Sequence, residues 1–468
     1  SSAVERINYN STLNGDALNS GVTVNTFGGN DEFFFDDTGT TITVDAGAGN
    51  DSFQVGQIYG ATPVTALVGD NINGTDTNRG FLSVGTSHEV TLKGGDDGDQ
   101  FSIYSNKAEL FLKGEDGDDN FELRAFITGG DLNVGSGKGA DTITYNINAK
   151  VNIDGGSGFD SVTVIGTEAG DSFLINEDGI YGAGINADLT NVELIELDGM
   201  EGDDTFYIQG SQAGVDYKLI GGLGSDDFIV TGDVLLPVIN ADTANKDVGL
   251  LQGNIVIEGG QTDADRSLKM AVMLPNETPV APLTLAIPTD ETLQTDQVIV
   301  YRDHRKVDES GDITSSTLRG FGMSDIDYAG IEVLEVLMGE GNDTVNLDVT
   351  AHRIDDSFQF ITGNTLKRAG SDWYDLGYRV GDSITIEGSA SNDGSYQISD
   401  MSSDGSTLTL SGASFAADET LSVAVIRDLP LTVVHGGGNS LLADGVTMGG
   451  DSITVTGSGY DNGNNIPV

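Results

Sequence analysis

A glycine–aspartate turn recurs along this chain at a nearly constant interval, and that interval limits the folds open to it. Aligned on Asp, any residue, then a large apolar residue, the copies begin with "GGNDEF" (Asp31), "GAGNDSF" (Asp51), "GGDDGDQF" (Asp99), "GEDGDDNF" (Asp119) and "SGKGADTI" (Asp141). They continue with "GGSGFDSV" (Asp160), "GMEGDDTF" (Asp204), "GGLGSDDF" (Asp226), "GEGNDTV" (Asp343) and "GGDSI" (Asp451). The best-ordered spacings are 20, 20, 22, 19 and 22 residues. Self-similarity at one period is the mark of a stacked repeat.

The interior of one period specifies the unit. After Asp99 the chain reads "QFSIYS", then "NKA", then "ELFLK", then the next turn. Two short strands of alternating polarity are joined by a small polar corner. Two strands per 20-odd residues predict an all-β chain built as an elongated, flattened parallel β-solenoid, each coil about 4.8 Å above the last. The residue after each Asp-x step then points inward, giving a column of Phe33, Phe53, Phe101, Phe121, Ile143, Val162, Phe206 and Phe228. Core packing is the expected role of that column, because a thin stack has few other large apolar groups to bury.

Composition agrees with a thin repetitive core. Of 468 residues 66 are Gly and 8 Pro, and 37% are hydrophobic. The chain carries 74 acidic against 21 basic residues, a net charge of −53, so cations have to offset self-repulsion in any compact state. Nucleic acid is excluded as an expected partner, since phosphate binding needs clustered Lys and Arg. There is no Cys, hence no disulfide and no thiolate metal site. No apolar run approaches a membrane span, and Ser1 opens no recognisable signal peptide; the chain reads as a mature product or fragment that is not membrane-embedded.

"GGSGFDSVT" (155–163) and "GGLGSDDFI" (221–229) fit the nonapeptide G-G-x-G-x-D-x-U-x, U being large and apolar, without a mismatch. They resemble the calcium-binding repeats of the repeats-in-toxin (hemolysin-type) family. The chemistry suits the pattern, because Ca²⁺ takes six to eight oxygen ligands at about 2.3–2.6 Å from carboxylates and main-chain carbonyls. The resemblance implies several Ca²⁺ ions, each between turns of adjacent coils. The ligating positions it implies are Asp31, Asp51, Asp99, Asp119, Gly137, Gly139, Asp141, Gly156, Gly158, Asp160, Gly202, Asp204, Gly222, Gly224, Asp226, Gly341 and Asp343. Asp451 and Asp171 ("EAGDSF") are expected to be plain turns without a loaded neighbour.

The copies depart from the family pattern. Glu115, Met200 and Ala48 are read as replacing glycines, and "GGNDEF" is a residue short. Only one turn per period carries the motif, so calcium turns are expected on one edge, as in one-sided solenoids of large bacterial surface adhesins. The ice-binding version of such solenoids uses Thr in T-G-N-D. The matching positions here are Ala48, Lys138, Ser157, Leu223 and Glu340, which exclude a flat threonine array. A second internal repeat, "NVELIELDGMEGDDTFYI" (191–208) and "GIEVLEVLMGEGNDTVNL" (330–347), resembles the paired modules of very large repetitive bacterial exoproteins.

Four segments follow: calcium-binding solenoid at 1–235, irregular continuation at 236–355, a small inserted antiparallel β-domain at 356–428, and terminal coils at 429–468. The insert alternates strictly around Asp-Gly turns at 393–394 and 404–405. Trp373 with Tyr374 and Tyr378 is a candidate carbohydrate-stacking platform, with core packing the default.

None of His88, His304, His352 and His435 forms H-E-x-x-H, and no G-x-S-x-G occurs, so zinc-protease and hydrolase-elbow chemistry is not expected. With 74 acidic residues, carboxylate pairs carry no catalytic signal. The leading expectation is a calcium-stabilised extracellular structural module (surface fibre, surface-layer subunit or adhesin stalk) rather than an enzyme. Its partners would be other copies or further modules of a longer chain, since neither end reads as a cap. The alternative is a glycan-binding or glycan-active parallel β-helix protein meeting surface glycans, with a groove lined by Trp373 and Arg302.

Overall fold

Runs such as "VTLKGGD" and "LFLKGED" alternate apolar and polar side chains, and as strands they bury every second residue. The computed structural model describes residues 21–59, 73–77, 80–128, 131–145, 150–167, 169–231, 251–260, 290–302, 307–339, 341–348, 350–368, 372–389, 391–416, 418–435 and 452–456. Among them the chain is all-β and rich in parallel strands; the one helical element is a 3₁₀ turn, Glu291–Leu293. No helix among the described residues is long and apolar enough to cross a membrane.

The described residues fall into two compact units, which interleave in sequence where one continuous segment to 235 was expected. One unit holds the chain up to Ile165 with Asp178–Ile195; the other holds Gly166–Glu177 and the chain from Glu196 onward.

In the first unit, one parallel sheet stacks Val22–Asn25, Ile42–Ala48, Val90–Asp96, Leu110–Asp116, Leu132–Gly139, Lys150–Asp154 and Ile185–Thr190. A second stacks Glu32–Phe35, Ser52–Val55, Gln100–Asn106, Asn120–Thr128, Thr142–Tyr145 and Ser161–Ile165. Each Asp turn carries the chain from the first sheet to the second, and we call one such strand–turn–strand passage a rung. Ile42, Val90, Leu110, Leu132 and Val151 pair successively, and all are buried. Phe33, Phe53, Phe101 and Phe121 stack face to face at 5.1, 4.8 and 4.6 Å, and Ile143 and Val162 continue the column. Stacked aromatic pairs add about 0.5–1.5 kcal/mol each beyond their burial. The excursion between Asp51 and Asp99, which includes a small antiparallel sheet of Ile58–Tyr59, Gly74–Thr77 and Gly80–Ser83, leaves the stack unbroken.

In the second unit, one sheet stacks Ser172–Asn176, Thr205–Ile208, Asp227–Val230, Gln297–Tyr301, Val333–Leu337 and Leu431–His435, all parallel. The other runs through Asp216–Ile220, Ile255–Glu258 and Ile326–Ala329, then through Thr317–Gly320 and Ser310–Ile313 to Thr344–Asp348 and Ser452–Thr456. Phe206 and Phe228 stack at 4.6 Å as expected, and Phe173 joins them at 5.2 Å.

The antiparallel insert is a closed six-stranded barrel running from His352–Ile361 to Glu419–Arg427, so it opens before residue 356. Trp373 fills its core at 0% exposure, stacked on Phe358 at 5.7 Å and edge-on to Tyr378 at 5.1 Å. The carbohydrate platform is thereby corrected: Trp373 and Tyr378 have no free face. Arg302 at 1% exposure is engaged by Glu309, so the groove of Trp373 and Arg302 is corrected as well. Arg379 ties the barrel to the parallel sheet through Glu258, Nε to Oε2 at 2.7 Å.

At several glycines the turns stack too closely for a side chain. Gly158 has φ +145°, and a Cβ there would lie 1.5 Å from the Gly139 carbonyl oxygen. Gly214 also has positive φ, +83°, yet a Cβ there would meet nothing within 4 Å. Gly214→Ala should cost only the left-handed backbone penalty of about 1–2 kcal/mol. Gly158→Ala should cost well beyond that, read as the larger drop in thermal unfolding midpoint; equal drops would refute the close stacking of the turns.

Candidate metal centre

Strand pairing alone leaves the amide of each turn Asp needing an acceptor, and the next Asp along the stack supplies it. In the first unit Asp31 N–H donates to Asp51 Oδ1 at 2.7 Å, Asp51 to Asp99 at 2.8 Å and Asp99 to Asp119 at 2.8 Å. Asp119 donates to Asp141 at 2.8 Å, Asp141 to Asp160 at 3.0 Å, and Asp160 to Glu193 Oε2 at 2.9 Å. The second unit repeats the device: Asp171 to Asp204 at 2.7 Å, then to Asp226 and Asp296, both at 2.8 Å, then to Glu332 Oε2 at 2.7 Å. Glu309 N–H donates to Asp343 Oδ1 at 2.8 Å. Beyond Asp31 and Asp171, which head the rows, one oxygen of each carboxylate is thus spent on the preceding rung's main chain.

The other oxygen is left over. Oδ2 of Asp31, Asp51, Asp99, Asp119, Asp141, Asp160, Asp204 and Asp226 is buried without a hydrogen-bond partner. Leaving a buried polar atom unpaired costs about 1–3 kcal/mol, more when it is charged. Four of them, on Asp99, Asp119, Asp204 and Asp226, face bare glycine surfaces five residues upstream. A Cβ on Gly114 would meet Asp119 Oδ2 at 2.0 Å and the Ser136 carbonyl at 2.1 Å. One on Gly199 would meet Asp204 Oδ2 at 2.1 Å and the Gly221 carbonyl at 2.7 Å; one on Gly221, Asp226 Oδ2 at 2.1 Å and the Gly259 carbonyl at 2.6 Å. A buried carboxylate oxygen and the next rung's carbonyl oxygen therefore converge repeatedly on one spot.

Electrostatics mark the same residues. Burial pushes Asp99 and Asp119 up to about 7, Asp160 to about 6 and Asp204 to about 9. The accepted N–H bond opposes the rise and neighbouring carboxylates add to it. Asp226 goes to about 7, again by burial first.

Gly137, Gly139, Gly156 and Gly158 lie in the turns of the first row, and Gly202, Gly222 and Gly224 in those of the second, all at positive φ. Gly341 precedes Asp343, against the Val307 carbonyl. Glu115 and Met200 do stand at glycine positions, with φ +78° and +81°. Ala48 does not: Gly47 pairs with Gly95, which leaves Ala46 where the first glycine would be. The single calcium edge is also corrected. Within the second unit Asp204 and Asp226 lead from the Asp216–Ile220 sheet into the Asp227–Val230 sheet, whereas Asp343 lies on the reverse crossing, from Val333–Leu337 to Thr344–Asp348. Asp451 lies outside the described residues.

Four acids in these rows escaped the sequence reading. Asp171, set aside as a plain turn, has its place beside Asp204. Asp296 sits in "TDQVIV", which keeps Asp-x-apolar but has lost every glycine. Glu193 and Glu332 are the first glutamates of the two "[VI]-E-x-[LI]-E" copies, and each accepts the last N–H of its row. The repeat was visible in sequence; that its glutamate ends a row was not.

No family model matches the chain, and no curated protein matches it either.

The donor set suits a hard, oxygen-seeking cation such as Ca²⁺, with buried carboxylate oxygens and carbonyls but no sulfur or imidazole in the rows. Among the described residues no three His, Cys, Asp or Glu side chains converge enough to hold an ion alone, so carbonyls have to complete any shell.

The raised carboxylates fix a pH dependence for the ion-free chain. Their folded values lie above the ordinary 3.8, so the folded chain holds protons that the unfolded chain releases. That stabilisation is complete below about pH 4 and is lost as pH rises through about 6 to 9. Thermal melts in excess chelator should give a lower midpoint at pH 8 than at pH 5; a higher midpoint at pH 8 would contradict the electrostatics.

Proposed function

We propose that this chain is a calcium-stabilised extracellular structural module, of the surface-fibre, surface-layer or adhesin-stalk kind. Its stacked rungs are successive coils of a parallel β-solenoid, whose turns hold Ca²⁺ between neighbours. One observation carries the reading: eight turn aspartates keep a buried, unpartnered Oδ2. Rows of buried carboxylates favour a bound cation as the lasting solution, because their protons leave as pH rises through about 6 to 9. When bound, Ca²⁺ supplies charge neutralisation and cross-links rungs; the residues that would hold it are the row aspartates and the carbonyls facing Gly114, Gly199 and Gly221.

Extracellular calcium sites bind at about 10⁻⁴–10⁻³ M, which suits folding on release into that milieu. A site whose Kd is one-hundredth of the free calcium adds about 2.7 kcal/mol, so a few such sites rival a domain's whole stability of about 5–15 kcal/mol. The chain would remain loose at low cytosolic calcium and compact outside. Calcium also offsets the charge of −53, allowing neighbouring copies or further modules of a longer chain to pack against it. No catalytic role is proposed. The glycan alternative has lost its proposed platform, because Trp373 is buried in the barrel core.

Thermal unfolding and calcium stoichiometry test the reading together. Calcium should raise the midpoint by tens of degrees over chelator and increase the particle size in light scattering. Asp160→Asn, which keeps an acceptor for the Asp141 amide but removes the charge, should lower the bound-calcium count and the midpoint in calcium. Asp131→Asn, the same charge change at an exposed residue of the same unit, should do neither. Midpoints identical in calcium and chelator would overturn the proposal.

A further inference from the structure

At one turn a charged group stands where the stack elsewhere uses a peptide carbonyl. The N–H of Gly29 donates to the Ala48 carbonyl, Gly49 to Asp96, Gly117 to Lys138 and Gly202 to Leu223, each reaching the next rung's third turn position. Gly224 holds the same place in the Gly221–Asp226 turn. The next rung departs from the pattern after Gly260, and its described chain resumes at Asp290. The Gly224 N–H is met there by the side-chain carboxylate of Glu291.

Glu291 is 6% exposed, and its Oε1 is buried with no hydrogen-bond partner. Beside it Asp226, at 0% exposure, has its own unpartnered Oδ2 facing Gly221 and the Gly259 carbonyl. Asp296 Oδ2 faces the bare side of Gly259, 2.7 Å from where a Cβ would stand, together with the Gly330 carbonyl at 2.0 Å. Glu332 closes the row on the Asp296 amide. Arg379 reaches the same glycines, Gly260 and Gly330, but its guanidinium is spent on Glu258 and on the carbonyls of Tyr374 and Tyr378.

We propose that Glu291 adds a side-chain carboxylate at the Gly221–Asp226 turn, where the Gly29, Gly49, Gly117 and Gly202 turns meet a peptide carbonyl, and makes it a divalent-cation site and the tightest calcium site in the chain. This rests on the calcium reading above and adds to it a ligand that the repeat pattern does not contain. The shared negative charge raises affinity, since calcium sites are tuned by their count of charged ligands. The ion would also clamp the 3₁₀ turn Glu291–Leu293, whose neighbours already hold the stack through the Gln294 side chain on Ser225 Oγ at 2.7 Å and the Thr295 amide on Ser225 Oγ at 3.1 Å. The barrel meets this turn through Gln397 Nε2, which donates to the Thr292 carbonyl at 3.0 Å.

Calcium titration calorimetry on the full chain tests the proposal with Glu291→Gln, which keeps an oxygen for the Gly224 amide and loses only the charge. The tightest calcium step should weaken about tenfold or more, with the weaker steps unchanged. Glu291→Lys provides a second reading: its ammonium would stand in for the ion, so the chain should bind one calcium fewer and melt higher than wild type in chelator. Wild-type binding with both variants matching it overturns this inference alone. A wild-type chain that takes up no calcium overturns the calcium reading, and this inference with it.

Discussion

The bond from each turn aspartate's amide to the next aspartate's Oδ1 sets the terms for the rest of the structure. It fixes the carboxylate between two main chains, aligns rung on rung, and commits one oxygen of every member after the first of each row. The remaining oxygen is buried because the turns stack almost in contact, with glycines opposite glycine carbonyls. Hence the same geometry that gives the stack its regular rise also lines up acids with unmet valences. Phe101 and Phe121, two residues after their aspartates, follow from that alignment, since a fixed turn places every inward side chain above its predecessor.

Two opposing effects meet in these rows. Burial of Phe, Val, Leu and Ile columns favours stacking at about 25 cal/mol per Å² of apolar surface. Burial of carboxylates opposes it, and their values near 7 and above show how far desolvation disfavours the charged form. Protonation relieves the second effect until pH rises through about 6 to 9; a divalent cation would relieve it above that range. On the proposed calcium reading the row acts as a conditional fastener, holding best where calcium is plentiful. Glu193 and Glu332 belong to the same logic, because a row that ended on a bare amide would leave its last N–H without an acceptor.

Much of this was legible in the sequence, and the limits have physical causes. The period, the two strands per repeat and the inward Phe column follow from alternation and turn spacing, which are local properties. The closed barrel's strands were visible as alternating runs around Asp-Gly turns, and Trp373 takes the core place that was its default reading; a lone aromatic cluster does not by itself reveal which strands cover it. Asp296 and Glu291 were invisible for another reason. Their turn lies between the strands Ile255–Glu258 and Gln297–Tyr301, far apart in sequence, and no nonapeptide survives to mark it. Ala48 shows the smaller error: an alignment slipped by two residues still looks periodic, and only the pairing of Gly47 with Gly95 fixes the register.

The central claim is that the unpartnered Oδ2 atoms exist to hold cations. Anomalous diffraction from crystals grown in calcium tests it most directly. The account predicts a line of anomalous peaks between successive turns, each within about 2.3–2.6 Å of an aspartate Oδ2 and of carbonyl oxygens. Well-ordered turns with no such peaks, their Oδ2 atoms met only by water, would contradict it.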